Sequence, residues 1–250
     1  MRAILTYHSI DDSGSAISVS PASFRSHVRW LASGRVRVLP LDELATSKDD
    51  GDAVALTFDD GFANFAEVAA PALAEHALPC TVFVVSEHVG GDNDWGGGGS
   101  TAVIPRLPLM AWDTLGALAT AGVGIGAHTR RHRDLTTVRG AALEDEVAGC
   151  VERISTELGE RPGSFAYPYG AVDLTATSVV RDVFDFACTT ELRAMRGDDD
   201  RALLPRLDMY YFRNAGELEG WGTRAFRRRV WLRAQGRRVR GLVRKIGQAA

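Results

Sequence analysis

Eight short apolar runs rich in β-branched residues recur along the first 210 residues, most of them followed by a longer amphipathic stretch. They are Ala3–Tyr7, Val36–Leu39, Ala53–Phe58, Thr81–Val85, Val123–Ala127, Ser164–Tyr167, Phe184–Thr189 and Leu204–Met209. The intervening helical patterns are Pro21–Ala32, Asn64–His76, Ala111–Ala121, Thr137–Leu158 and Leu174–Arg181. Strands alternating with crossover helices require a mostly parallel sheet covered on its outer face. Ser20 before Pro21 predicts a capped helix start, and Thr136 or Thr137 is the expected cap of the longest helix. Either a barrel or a doubly wound open sheet satisfies this pattern. The open sheet would hold a dinucleotide on a glycine-rich first turn, and none follows Tyr7.

In both architectures ligands bind at the carboxyl ends of the strands, and there the unusual residues collect. Thr57-Phe58-Asp59-Asp60-Gly61 follows the most apolar strand, AVALTF. An Asp-Gly pair makes an ordinary turn, but two adjacent carboxylates at the end of a buried strand are costly unless a cation offsets them. One carboxylate would then bind the cation and leave the other free as a base. His128-Thr129-Arg130-Arg131-His132 follows GVGIGA. Imidazoles four apart share a face if the segment turns helically after its strand. Taken singly, each histidine is equally a structural residue. Asp60, His128 and His132 together offer two nitrogens and one carboxylate, the ligand set of a catalytic zinc with a position left for water. Phe165-Ala166-Tyr167-Pro168-Tyr169-Gly170 forms a shaped turn after another strand, either a packed turn or a pocket wall.

TFDDG, HTRRH and FAYPYG, in this order and spacing, resemble the motifs of the polysaccharide deacetylase family (NodB homology, carbohydrate esterase family 4). The resemblance covers roughly Arg2 to Tyr210. It implies an α/β fold, a distorted (β/α)7-type barrel, and removal of N-acetyl groups from N-acetylhexosamine-containing carbohydrate. It further implies Asp59 as general base and a divalent metal held by Asp60, His128 and His132, with zinc expected and cobalt or nickel as substitutes. The backbone N–H of Tyr169 would help hold the oxyanion. LTYHSI, VLPLDEL and LMAW are similar to the poly-N-acetylglucosamine deacetylase branch.

Two departures from the family pattern stand out. Ala166 occupies a place where many members carry an arginine that pairs with the base; Arg206 or Arg130 is expected to replace it. The late run LLPRLDMY lacks the histidine that supplies a proton in other members; His8 or Asp208 is expected instead. Deacylation of a small or lipid-linked amino sugar is the enzymatic alternative, and a silent carbohydrate-binding domain the non-enzymatic one.

Charge divides the chain near residue 220. Residues 221–250 carry nine arginines, one lysine and no acid, a net +10, leaving −13 on residues 1–220. A barrel over 1–220 with a basic amphipathic tail over 221–250 is therefore expected. The tail reads as a helix packed on the acidic body or as a helix on an anionic membrane surface. Nucleic acid is not expected, since no binding fold accompanies the charge. No signal-peptide core or membrane span is apparent, so a cytoplasmic protein, peripheral at the inner face of the membrane through its tail, is the expectation. Cys80, Cys150 and Cys188 form no CxxC pair and read as buried thiols. Gly90–Pro108, with four consecutive glycines after Trp95, reads as a mobile insertion, either inert or a rim offering Trp95 to a sugar face.

Overall fold

The Ala53–Phe58 strand is buried along its whole length, because one face lines the inside of a barrel and the other lies under helices. In the computed structural model, which describes residues 1–95, 104–214 and 216–248 and side chains as far as residue 237, seven parallel strands make this barrel. In spatial order they are Arg206–Asp208, Arg2–Tyr7, Ala53–Phe58, Cys80–Val84, Gly124–Ala127, Ser164–Ala166 and Phe186–Cys188. Arg37–Val38 adds a short parallel pairing to the start of Ala53–Phe58. The seam is spanned by one segment: Leu204 bridges to Cys188, and two residues later Arg206 pairs with Ile4. The result is a distorted, nearly closed (β/α)7-type barrel.

Side chains alternate across each strand, so one sequence register sets the whole interior. Ile4, Ala53, Ala55, Phe83, Ala166, Cys188 and Leu204 form the inner core, stoppered by Leu41 and Leu44 of the helix Leu41–Thr46. Their neighbours Ala3, Leu5, Val54, Leu56, Val82 and Val84 face outward into the larger core beneath the helices. Continuing the inward register gives Thr6 and His8 on the first strand and Thr57 and Asp59 on the second. Thr6 and Thr57 are hydrogen-bonded at 2.7 Å inside the barrel. Asp59 and His8 thus sit one step above a filled floor.

Several local expectations need correction. The stretch Asn64–His76 is not one α-helix. Phe65–Ala69 forms a π-turn, with the Ala70 N–H bonded to Phe65 O, before the helix Ala70–Ala74. Pro71, lacking an N–H, interrupts the regular ladder there. The longest helix of the barrel starts at Ala141, not Thr137. Asp134 caps a separate turn, Leu135–Thr137, and Gly140 at φ 54° precedes the helix, so neither Thr136 nor Thr137 is its cap. Ser20 does accept from the Ser23 N–H ahead of Pro21–Ala32. All three cysteines are free and buried.

The basic segment forms the helix Arg224–Gln248. Phe226 and Val230 reach the main core, and Arg229 and Arg233 pair with Glu217. No helix among the described residues is long and apolar enough to cross a membrane. The side chains of Val239, Leu242, Val243 and Ile246, part of the expected apolar stripe, and the glycine run at 96–99 lie outside the described residues.

Candidate metal centre and reaction site

Four loops meet above the carboxyl ends of the strands. Four of the five non-glycine residues with positive φ among the described residues lie there: Asp60 (73°), Thr129 (64°), His132 (58°) and Tyr169 (60°). A left-handed conformation costs an L-residue about 1–2 kcal/mol, so surrounding contacts must hold these turns. Thr129 O and Arg130 O accept from the N–H groups of Ser86 and Glu87. Glu146, 1% exposed, accepts from Arg131 N–H at 2.8 Å, and its own carbonyl accepts from Arg130 N–H. At Gly170 an added Cβ would meet Thr190 Oγ1 at 2.0 Å, so glycine is required where the Tyr169 turn packs down.

These turns bring Asp60, His128 and His132 together, with one ligand atom from each lying within 4.8 Å of the others. Nε2 of His128 is 3.4 Å and Nε2 of His132 is 3.3 Å from Asp60 Oδ1, but neither is directed as a hydrogen bond; that oxygen is buried without a hydrogen-bond partner. His128 Nδ1 lies 2.7 Å from the Ala166 carbonyl, which can only accept. Nδ1 therefore carries the proton and Nε2 points its lone pair at Asp60. His132 Nδ1 is 3.0 Å from the Tyr169 hydroxyl. Buried acceptors converging on one point fit a divalent cation, and the outer hydrogen bonds orient them for it. The two histidines do not share a helical face. His128 directly follows its strand, and His132 is swung back by left-handed Thr129 and its own positive φ.

Asp59 faces a different partner. Arg206 Nη1 and Nη2 donate to its two carboxylate oxygens at 2.6 and 2.7 Å, while Arg206 Nε donates to Thr189 O at 2.9 Å. Both side chains are buried. Arg130 is held elsewhere, by Glu87 and Asp145. His8 Nε2 stands 3.6 Å from Asp59 Oδ2. Burial would raise the Asp59 pKa, but the Arg206 charge, with His8 and His128, holds it below the ordinary carboxylate value. Asp60 is also drawn well below that value, against its burial, by His128 and His132. Burial lowers the His132 pKa, whereas at His128 the neighbouring carboxylates overcome burial and raise it.

A cavity of about 460 Å³ opens onto this cluster. His8, Asp59, Tyr169 and Asp208 line it together with the three metal-ligand candidates, whereas Arg206 and Arg130 do not. Arg206 lies beneath, behind Asp59. Asp208 also accepts from Tyr210 N–H at the start of a short turn. Trp95 stands on the rim with its ring 4.6 Å from that of His132. Sequence reasoning missed the roles of Glu146 and Arg237. Glu146 falls on the apolar face of its helix with Leu143, Val147 and Cys150, a register that marks an acid with a buried task. Arg237 reaches the cavity from the C-terminal helix, and no local signal places it there.

A family model described as polysaccharide deacetylase matches residues 46–183. The chain is 22% identical over 205 residues to a poly-β-1,6-N-acetyl-D-glucosamine N-deacetylase of Staphylococcus epidermidis, covering 76% of this chain and 67% of that protein. It superposes on a polysaccharide deacetylase from Bacillus cereus with a TM-score of 0.68 at 21% identity, covering 83% of this chain. It spans 64% of that structure, just under two thirds of its length. A Streptococcus pyogenes deacetylase in complex with acetate gives a TM-score of 0.68 at 20% identity, covering 82% of this chain and 90% of the other.

Proposed function

This chain belongs to the polysaccharide deacetylase family, and from that premise we propose that it is a metal-dependent hydrolase removing N-acetyl groups from an N-acetylhexosamine-containing carbohydrate. The observation that carries the reading is the pairing of a buried His-His-Asp cluster with a second, arginine-held carboxylate on the same cavity. A silent binding domain has no use for such an arrangement, which is costly to bury.

Asp60, His128 and His132 would hold the cation, expected to be zinc with cobalt or nickel as replacements. When bound, it supplies Lewis-acid polarisation of the acyl carbonyl and acidification of water. Asp59 takes the proton of the attacking water, one oxygen at a time, while Arg206 keeps the carboxylate ionised and aimed. The Tyr169 backbone N–H stabilises negative charge developing on the acyl oxygen. The C–N bond then breaks, and the amine leaves with a proton from His8, the histidine nearest Asp59 on the open side of the cavity, with Asp208 as the alternative donor. Acetate and a free amino sugar are the products.

The Staphylococcus epidermidis relative acts on poly-β-1,6-N-acetylglucosamine by its name, which makes N-acetylglucosamine oligomers the first substrates to test. The deciding experiment loads the purified protein with zinc, cobalt or nickel and offers free, nucleotide-linked, lipid-linked and oligomeric N-acetylhexosamines. Metal-dependent release of equal amounts of acetate and primary amine is expected. A protein that binds metal but releases no acetate from any of them would refute the proposal.

A further inference from the structure

Beside the reaction site lies a second and larger cavity of about 800 Å³. One wall is the C-terminal helix, through Arg227, Val230, Trp231, Ala234 and Arg237; the other is the segment Thr189–Arg196. Thr190 and Arg237 line both cavities, so the two spaces adjoin at this pair. A substrate whose amide sits at the cluster can extend past Arg237 into the second space.

The chemistry of this extension is unlike that of a sugar subsite. Its walls are mainly aliphatic, with Val172, Leu192, Leu203 and Val230 beside the indole of Trp231. Glu191 is its one acidic side chain and pairs with Arg193. Among the described residues, no carboxylate forms a salt bridge with Arg227 or Arg237, while Asp199 lies near Arg196, which leaves a cationic surplus on an apolar trough. The large apolar side chains that the described chain exposes are Tyr169, Val172, Leu174, Trp231 and Leu232. Three of these line the adjoining cavities, and Leu174 and Leu232 are close in sequence to Val172 and Trp231. Exposed apolar surface gathered at the mouth of a site, instead of scattered, marks a binding surface. The polar side chains of this trough, Thr189, Thr190, Gln235 and the arginines, are spread among aliphatic ones. An aliphatic chain bearing one anion matches both halves of it.

We propose that the second cavity receives the lipid phosphate of an amino sugar carried on a lipid phosphodiester. Arg237, at the junction, pairs with the phosphate between sugar and chain. Val172, Leu203, Val230 and Trp231 cover the first part of the aliphatic chain. The inference rests on the deacetylase reading of the neighbouring site and narrows its substrate class.

Four probes test it on the zinc-loaded full-length protein: N-acetylglucosamine 1-(decyl phosphate), neutral decyl N-acetylglucosaminide, N-acetylglucosamine 1-phosphate and an N-acetylglucosamine tetramer. The decyl phosphodiester should exceed each of the others in kcat/KM by about 10-fold or more, through KM. Arg237→Gln and Trp231→Ala should each shrink that preference, with melting temperature and metal content reported for both; Trp231 is 58% exposed, so its variant is expected to fold. Calorimetric titration with decyl phosphate and with inorganic phosphate supplies a readout independent of turnover. Decyl phosphate should bind more tightly, and more weakly to Arg237→Gln than to the parent. Equal kcat/KM for charged and neutral chain-bearing sugars, a preference for the tetramer, or equal binding of inorganic and decyl phosphate would each overturn the proposal. Binding of decyl phosphate that depends on Arg237, in a protein that releases no acetate, would keep the lipid-phosphate site and refute the deacetylase reading instead.

Discussion

Arg206 grips both carboxylate oxygens of Asp59 from a strand 147 residues further along the chain. The pair is buried and bidentate, so its geometry is more restrictive than that of a surface ion pair. Because the folded Asp59 pKa is depressed, the stabilisation from this pair is complete above the ordinary carboxylate value of about 4 and fades as pH falls through the lower folded value. Arg206→Met removes the charge that lowers the pKa and leaves burial to raise it. The acid limb of kcat/KM should move to higher pH, and stability at neutral pH should drop by about 3–5 kcal/mol. Arg206→Lys keeps the charge and should retain most of the parent's limb position. A pH–rate profile with urea titration of each variant checks both outcomes; an unmoved acid limb in Arg206→Met would remove Asp59 as the base.

Asp59→Asn should retain metal, because Asp59 is not among the converging ligands, yet lose about 10²–10⁴ in kcat. Elemental analysis beside turnover on an N-acetylglucosamine oligomer measures the split. Parental kcat would place the base elsewhere.

His128→Ala and His132→Ala should lose most bound metal and nearly all turnover while keeping the far-ultraviolet circular dichroism of the parent. Chelation of the parent should lower its melting temperature, since a ligand that binds only the folded state stabilises it. The same chelator should shift the two variants far less. Parental metal affinity in either variant would contradict the ligand set.

For His8 the informative variable is the leaving group. If His8 protonates the departing amine, His8→Ala should slow N-deacetylation by about 10²-fold or more while affecting 4-nitrophenyl acetate, whose leaving group needs no proton, much less. Equal losses on both substrates would assign His8 to positioning Asp59 and turn attention to Asp208.

The C-terminal helix calls for two shortened chains. Ending at residue 219 removes Phe226 and Val230 from the core and should lower stability by several kcal/mol, on the scale of about 3–5 for one buried phenylalanine. Ending at residue 237 keeps those anchors and removes only the distal basic residues. If the tail binds a membrane surface, the full chain should float with anionic vesicles in a salt-sensitive way and the 237-residue chain should float less. Equal flotation of the two would refute a membrane role for the distal tail.

Much of this fold was legible because a covered parallel strand leaves a compact apolar signature, as AVALTF does, and because the functional groups follow directly on strand ends. What was not legible depends on backbone torsion or on closure. The approach of His132 to His128 looked helical from spacing alone, yet it rests on positive φ at Thr129 and His132, tied down by Glu146 across the loop. The π-turn at Phe65–Ala69 leaves no periodic mark distinct from an α-helix. Choosing between Arg206 and Arg130 required knowing which strand lies beside the first one, a fact set by the ring and not by any neighbouring residue.

The segment that spans the seam has a further consequence for the order of events as the chain is made. The three candidate metal ligands and the groups that orient them, Glu146, Ala166 and Tyr169, have been synthesised by residue 169, whereas Leu204 and Arg206, which complete the ring and restrain Asp59, follow some thirty-five residues later. Cation capture and catalytic competence are therefore separable in time. On the proposed reading, a chain can gather its ligands and still lack a working base until the last strand docks. During refolding with zinc present, metal uptake should run ahead of the return of turnover, and the lag should lengthen in variants that weaken the seam at Leu204.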